Sequence, residues 1–241
     1  MKLSEKVVLI TGGGSGVGAA IARICAAEGA RVIVIGRDEA KLRAVCDRLG
    51  DAATFFAADV TDRPRVKEVV DAVIADHGRL DILVNNAGVN VVDRALAKLT
   101  PENWDLQMDI NVTGTFNLIH AVLPHMRERR EGTIISISSL AGTHPSVLAG
   151  TAYSASKHGM SVLTKMVDLE ESVNGIRATV ISPGETNTPI LDQRPVKVSD
   201  EHKAGILRPD DIAEAVLYVA SLPARVCIPA MLIKPLGQKP G

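Results

Sequence analysis

Cysteine is scarce in this chain of 241 residues, and the three present, Cys25, Cys46 and Cys227, are odd in number and far apart. A disulfide framework needs pairs and a zinc site needs clusters, so neither is expected. The three read as small core side chains of a reduced, cytoplasmic protein. Charge of one sign is equally lacking: 27 Lys and Arg face 28 Asp and Glu, for a net charge of -1, with no block of either sign. The electrostatic footprint required by nucleic acid or an anionic membrane is therefore missing. Long hydrophobic runs are absent too, because charges such as Arg23, Glu28 and Arg31 interrupt them, and no membrane span is expected. The chain begins MKLSEK and enters a strand pattern at once, which is not the layout of a signal peptide. No Gly/Ser linker, low-complexity tract or repeat divides it. With 46% apolar residues, the expectation is one domain spanning residues 1–241.

What is present is an alternation of short β-branched runs with longer segments of helical period, the pattern of a parallel sheet covered by helices on both faces. Seven strands are predicted, at 7–11, 31–36, 54–57, 82–85, 132–138, 177–182 and 230–234, with helices near 16–28, 38–49, 62–77, 101–129, 152–173 and 209–221. Thr100-Pro101 and Arg208-Pro209 have the form of helix starts. Residues 185–208 lack a clear period and are read as a short lid bordering the ligand crevice at the carboxyl ends of the strands.

The stretch TGGGSGVG, residues 11 to 18, places five glycines in eight positions between a strand and a helix. In that context Gly12 allows the tight turn, Gly16 lets a pyrophosphate reach the helix N-terminus, and Gly18 brings helix and strand together. The reading is nucleotide binding, although the spacing is TGxxxGxG and not GxGxxG.

That spacing resembles the short-chain dehydrogenase/reductase family, and further motifs agree along nearly the whole chain: Asp59 after the third strand, Asn85-Asn86-Ala87-Gly88 after the fourth, Asn111, Ser139 at the end of the fifth, Tyr153-Ser-Ala-Ser-Lys157, and Pro183-Gly184 with Thr188 after the sixth. The resemblance implies a doubly wound Rossmann fold binding NAD or NADP, and a homodimer or homotetramer. It also implies that Gly12, Gly14, Ser15, Gly16, Val17 and Gly18 hold the phosphates and that Asp59 and Val60 meet the adenine. Asn86, Ala87, Gly88, Pro183, Gly184 and Thr188 would line the cofactor, Lys157 would hold the nicotinamide ribose, and Asn111 would support a water relay to Lys157.

Tyr153 and Lys157 are four apart on a predicted helix and so share a face. A free phenol titrates near about 10, and a neighbouring ammonium is expected to lower that value toward useful acid/base work. Ser139 is placed to hold a substrate oxygen while Tyr153 gives or takes its proton. The Ser139 to Tyr153 separation is 14, one longer than the family pattern suggests, so Ser138 is the alternative, and the loop from Thr143 to Thr151 should absorb the extra residue. Tyr218, the only other tyrosine, is expected in the core. His158 points to a different face, and His144 is at most a substrate contact.

At the end of the second strand, where an NAD enzyme of this type carries an acid, the chain has Gly36 followed by Arg37. Arg37 is able to pair with a 2′-phosphate, so NADP(H) is favoured, with NAD(H) through Asp38 as the alternative. Ile190, Leu191 and the loop His144-Pro-Ser-Val-Leu148 suggest a small or medium carbonyl or alcohol substrate. The carboxyl end, ARVCIPAMLIKPLGQ, departs from the Thr-Gly and Val-Asp-Gly-Gly pattern commonest in the family and looks more like the branch with 3-hydroxy acid and serine dehydrogenases. Two other classes stay open: a nucleotide-binding regulatory or scaffold protein without turnover, which the complete Ser139, Asn111, Tyr153 and Lys157 set opposes, and a methyltransferase, whose glycine loop would not need Tyr153 and Lys157.

Overall fold

The computed structural model describes residues 1–238. Seven parallel strands form one sheet in the order β3-β2-β1-β4-β5-β6-β7. They are β1 (Val7–Thr11), β2 (Arg31–Gly36), β3 (Ala53–Ala57), β4 (Ile82–Asn85), β5 (Gly132–Ile137), β6 (Ile176–Pro183) and β7 (Ala230–Ile233). The helices are α1 (Gly16–Ala27), α2 (Glu39–Leu49), α3 (Arg63–His77), α4 (Pro101–Met108), α5 (Gly114–Arg129), α6 (Thr151–Glu171), α7 (Asp200–Ala204) and α8 (Pro209–Ala220).

The unbroken apolar runs of the strands follow from burial on both faces. In β1, Val8 and Ile10 point to one side and pack with Ile21 and Cys25 of α1 and Ile212 and Val216 of α8. Val7 and Leu9 point to the other, against Val66 and Val69 of α3, Leu118 of α5 and Val167 of α6. After β3 the chain returns to the opposite side of β1, so the loops that leave β1 and β4 part at the point where the winding reverses. In open α/β sheets that parting is the ligand crevice.

Several elements differ from their sequence expectation. The helix predicted over 101–129 is interrupted by a π-turn at Asp109–Thr113 that separates α4 from α5. Periodicity does not reveal a single widened turn, and such turns recur at functional sites. Strand β5 stops at Ile137, so Ser138 and Ser139 lie beyond it, and Ser139 caps a short 3-10 turn at Leu140–Gly142. The aperiodic stretch 185–208 contains a 3-10 turn at Pro189–Gln193 and α7, and a Thr186–Leu207 bridge pins its base.

Tyr218 is not in the core: it is 53% exposed, because the buried stripe of α8 is Ile212, Ala213, Val216, Leu217 and Val219. Cys25 and Cys46 are buried as expected, whereas Cys227 is half-buried with its Sγ 3.1 Å from Asp168 Oδ1. Helix α6 leaves Val162, Met166 and Leu169 exposed, and Val173, just beyond its end, is exposed too. Among the described residues, no helix is long and apolar enough to cross a membrane.

Candidate active site

The floor of the crevice is a seam between two loops. Thr11, the last residue of β1, accepts at its Oγ1 from the N–H of Asn86 (2.9 Å) and of Ala87 (2.8 Å). The Asn86 amide returns the contact by donating to the carbonyls of Thr11 (2.9 Å) and Gly12 (3.2 Å). Asn86 is therefore a brace as well as a lining residue, which its place in the motif does not reveal.

On this seam the glycines behave as their spacing suggests. Gly12 and Gly16 have φ of +64° and +52°, a region that penalises any side chain. A Cβ on Gly18 would collide with the Gly12 carbonyl, so only glycine lets α1 approach the turn. The N-cap Ser15 makes no side-chain cap bond, and α1 therefore presents its first-turn N–H groups and the positive end of its dipole to an anion.

A cavity of about 1010 Å³ runs from this turn past Ala87 and Gly88 to Ser139, Tyr153 and Lys157, with Pro183, Gly184, Thr188, Pro189 and Leu191 on the lid side. A second, of about 220 Å³, shares Gly12, Ser15, Ala87 and Gly88 with it and continues over Gly14, Arg37, Asp59, Val60 and Ile110. The two meet at Gly12 and Ser15, beside the N-terminus of α1, and form one trough. Val17 lines the larger part.

At the far end of the trough, Lys157 is 3% exposed and donates from Nζ to the Ile137 carbonyl at 2.9 Å. Its Nζ lies 5.8 Å from the Tyr153 ring centroid. A Cβ on Gly88 would come within 3.2 Å of Lys157 Nζ and 3.3 Å of Asn111 Oδ1, so the glycine is what lets three segments converge. Asn111 sits in the π-turn, accepts from the Val89 N–H (2.8 Å) and donates to the Val89 carbonyl and Ser156 Oγ (both 3.0 Å). It thus reaches Lys157 through Gly88 and Val89 and makes no direct bond to it. Ser138, the alternative to Ser139, is spent on the Lys157 carbonyl (3.1 Å) and Ser161 (2.7 Å). His144 lines the cavity rim, whereas His158 is turned to the Ser154 carbonyl.

The electrostatics overturn one expectation. Lys157 was expected to lower the Tyr153 pKa, yet burial pushes the phenol up to about 12, and the groups that pull it back are Ser139, by hydrogen bonding, and the charge of Arg94. Burial also holds the Lys157 ammonium down to about 7, so near neutrality it is only partly charged and is a weak counter-ion. Tyr153 is then a protonated acid at neutral pH.

At the adenine end, Asp59 accepts from both the N–H and Oγ1 of Thr61 and leaves the capping of α3 to Asp62. Arg37 is 64% exposed, with its guanidinium 4.0 Å from Asp59. Asp38 caps α2 through the Lys41 N–H and pairs with Lys41 Nζ at 3.1 Å. Arg94, Asn90, Gln193 and Arg194 also line the larger cavity and were not anticipated. They lie in segments without periodicity, and the burial of Arg94 depends on residues far away in sequence.

Lys157 gives a pH prediction. Between pH 7 and the ordinary lysine value of about 10.4, an unfolded Lys157 binds a proton that the folded one lacks, so this residue makes stability rise with pH across that window. Relative to Lys157→Met, wild-type unfolding free energy should increase between pH 7 and pH 9 by roughly 1–2 kcal/mol. Urea titrations at the two pH values read the difference, and parallel behaviour of the two proteins would contradict it.

Comparison with known proteins shows the family. The short chain dehydrogenase family model matches residues 6–198. An oxidoreductase of Staphylococcus saprophyticus is 35% identical over 240 residues, covering 98% of this chain and 100% of the relative. One of Staphylococcus epidermidis is 32% identical over 235 residues, covering 98% and 99%. Among solved structures, a closed form of serine dehydrogenase complexed with NADP+ superposes with a TM-score of 0.88 at 33% identity, covering 97% of this chain and 96% of that one. A 3-ketoacyl-(acyl-carrier-protein) reductase from Brucella melitensis complexed with NADH gives 0.90 at 30%, covering 97% and 98%. The chain belongs to the short-chain dehydrogenase family and is an oxidoreductase acting on CH–OH groups.

Proposed function

We propose that the protein interconverts a small or medium carbonyl compound and its alcohol, using NADP(H) in preference to NAD(H). The observation that carries this reading is that Tyr153, Ser139 and Lys157 line the same cavity as the glycine turn and Gly88. The bound cofactor would supply or accept a hydride at the carbonyl carbon. The α1 N-terminus with Gly12, Gly14, Ser15, Gly16, Val17 and Gly18 would hold its phosphates, and Asp59 and Val60 its adenine. Ala87, Gly88, Asn86, Pro183, Gly184 and Thr188 would flank the nicotinamide half.

Ser139 orients the substrate oxygen, and Tyr153, kept protonated by burial, donates its proton to that oxygen in the reductive direction. Lys157 would hold the ribose hydroxyls of the bound cofactor, while Asn111 fixes the Val89 backbone. Pro189 and Leu191 line the same cavity. Tyr153→Phe keeps the ring and removes the proton. It should lower kcat for carbonyl reduction by about 10²–10⁴-fold with NADPH affinity retained. Steady-state rates beside a fluorescence titration check this, and a variant with wild-type kcat would refute Tyr153 as the acid.

NADP(H) is favoured because Gly36 offers no carboxylate at the end of β2, Asp38 is occupied as a cap and by Lys41, and Arg37 stands exposed at the adenine end of the trough. Its pairing with Asp59 is a solvated contact, cheap to exchange for a phosphate. The related structures hold NADP+ in one case and NADH in another, so the choice rests on these residues. Fluorescence titration should show tighter binding of NADPH than NADH, with the preference reversed in Arg37→Asp. Equal affinities in the wild type would remove the role of Arg37.

A further inference from the structure

Beside Tyr153 the cavity holds a buried cation with no ion-pair partner among the described residues. Arg94, in the loop after β4, is 7% exposed and lines the larger cavity. Its Nε donates to the Val91 carbonyl (2.8 Å), one terminal nitrogen to the Leu148 carbonyl (3.2 Å) and the other to the Gln193 carbonyl. A guanidinium has five N–H donors, so one on each terminal nitrogen is without a partner among the described residues.

Arg94 forms no ion pair among the described residues. Burial, together with the charge of Arg194, disfavours the charged form of Arg94. Arg194 is itself paired with Glu185 at 3.2 Å, and the same Glu185 oxygen meets His202 at 2.6 Å, so that carboxylate is already spent. Asp93, at the rim of the cavity, is exposed to solvent and forms no ion pair among the described residues. Three carbonyl dipoles steady the guanidinium without neutralising it, and a buried charge left in that condition is costly. The clamp on three loops uses three of the five guanidinium N–H groups, one more than a neutral amide has, and leaves two over. The planar fork with one donor free on each arm matches a carboxylate.

We propose that Arg94 binds a carboxylate carried by the substrate, which makes the substrates short oxo acids and the matching hydroxy acids. This rests on the carbonyl–alcohol reading of the same site and narrows it. The three carbonyls that hold Arg94 come from the loop after β4, the loop before α6 and the lid turn, so the anion is recognised where all three meet.

The probes are pyruvate, acetoacetate and levulinate, each against its neutral methyl ester, in kcat/KM with NADPH and in calorimetric binding to the NADP+-loaded protein. At least one acid should be preferred over its ester by about tenfold or more. Arg94→Gln should abolish that ratio and Arg94→Lys retain part of it. A ratio taken within one variant cancels general losses of folding or activity. A wild type that prefers no acid over its ester overturns the proposal without any variant, and so does a ratio unchanged in Arg94→Gln. If no probe is turned over but calorimetry shows acid binding that disappears in Arg94→Gln, the carboxylate site stands and the hydride-transfer reading falls.

Discussion

The contact between Thr11 and Asn86 is the constraint on which the site depends. One hydroxyl accepts two backbone N–H groups from the β4 loop, and one amide answers to two carbonyls of the β1 turn. Such bonds are worth only about 1 kcal/mol each, but they close the seam where the sheet reverses its winding. With that seam fixed, the Gly12 turn keeps its left-handed backbone, α1 points its N-terminus into the trough, and Gly88 is carried up against Lys157 and Asn111. The α1 N-terminus and the Tyr153–Lys157 end of the trough are therefore held in a single register.

Burial then differentiates the ionisable groups at the reactive end. The same enclosure raises the Tyr153 phenol, lowers the Lys157 ammonium and leaves Arg94 charged, since a guanidinium does not give up its proton in a protein. Three residues that line one cavity thus stand in three electrostatic states near neutrality: a neutral phenol, a cation close to its titration point, and a permanent positive charge. No metal is needed for this separation, since desolvation acts oppositely on acids that are neutral and acids that are charged when protonated.

Much of the fold was legible because parallel strands buried on both faces are written as continuous apolar runs; β1, β2 and β4 lie where the sequence puts them. The glycine turn was legible because its steric requirement admits one residue type. Elements governed by distant partners were not. The π-turn at Asp109–Thr113 adds a residue to one helical turn without disturbing the apolar period around it. Tyr218 sits in an apolar segment yet faces outward, because one residue of helical rotation separates it from Leu217. The burial of Arg94 is decided by Leu148 and Gln193, residues 54 and 99 positions away, and no local pattern announces it. The direction of the Tyr153 shift was misjudged because the spacing to Lys157 specifies proximity but not enclosure.

Hydrogen–deuterium exchange with and without NADPH tests most directly whether the seam organises a single dinucleotide trough. Protection should appear together in residues 12–18, in 86–90 and in the lid residues 185–194, with the remainder of the sheet unchanged. Protection confined to one of these segments, or appearing on surfaces outside the trough, would contradict it.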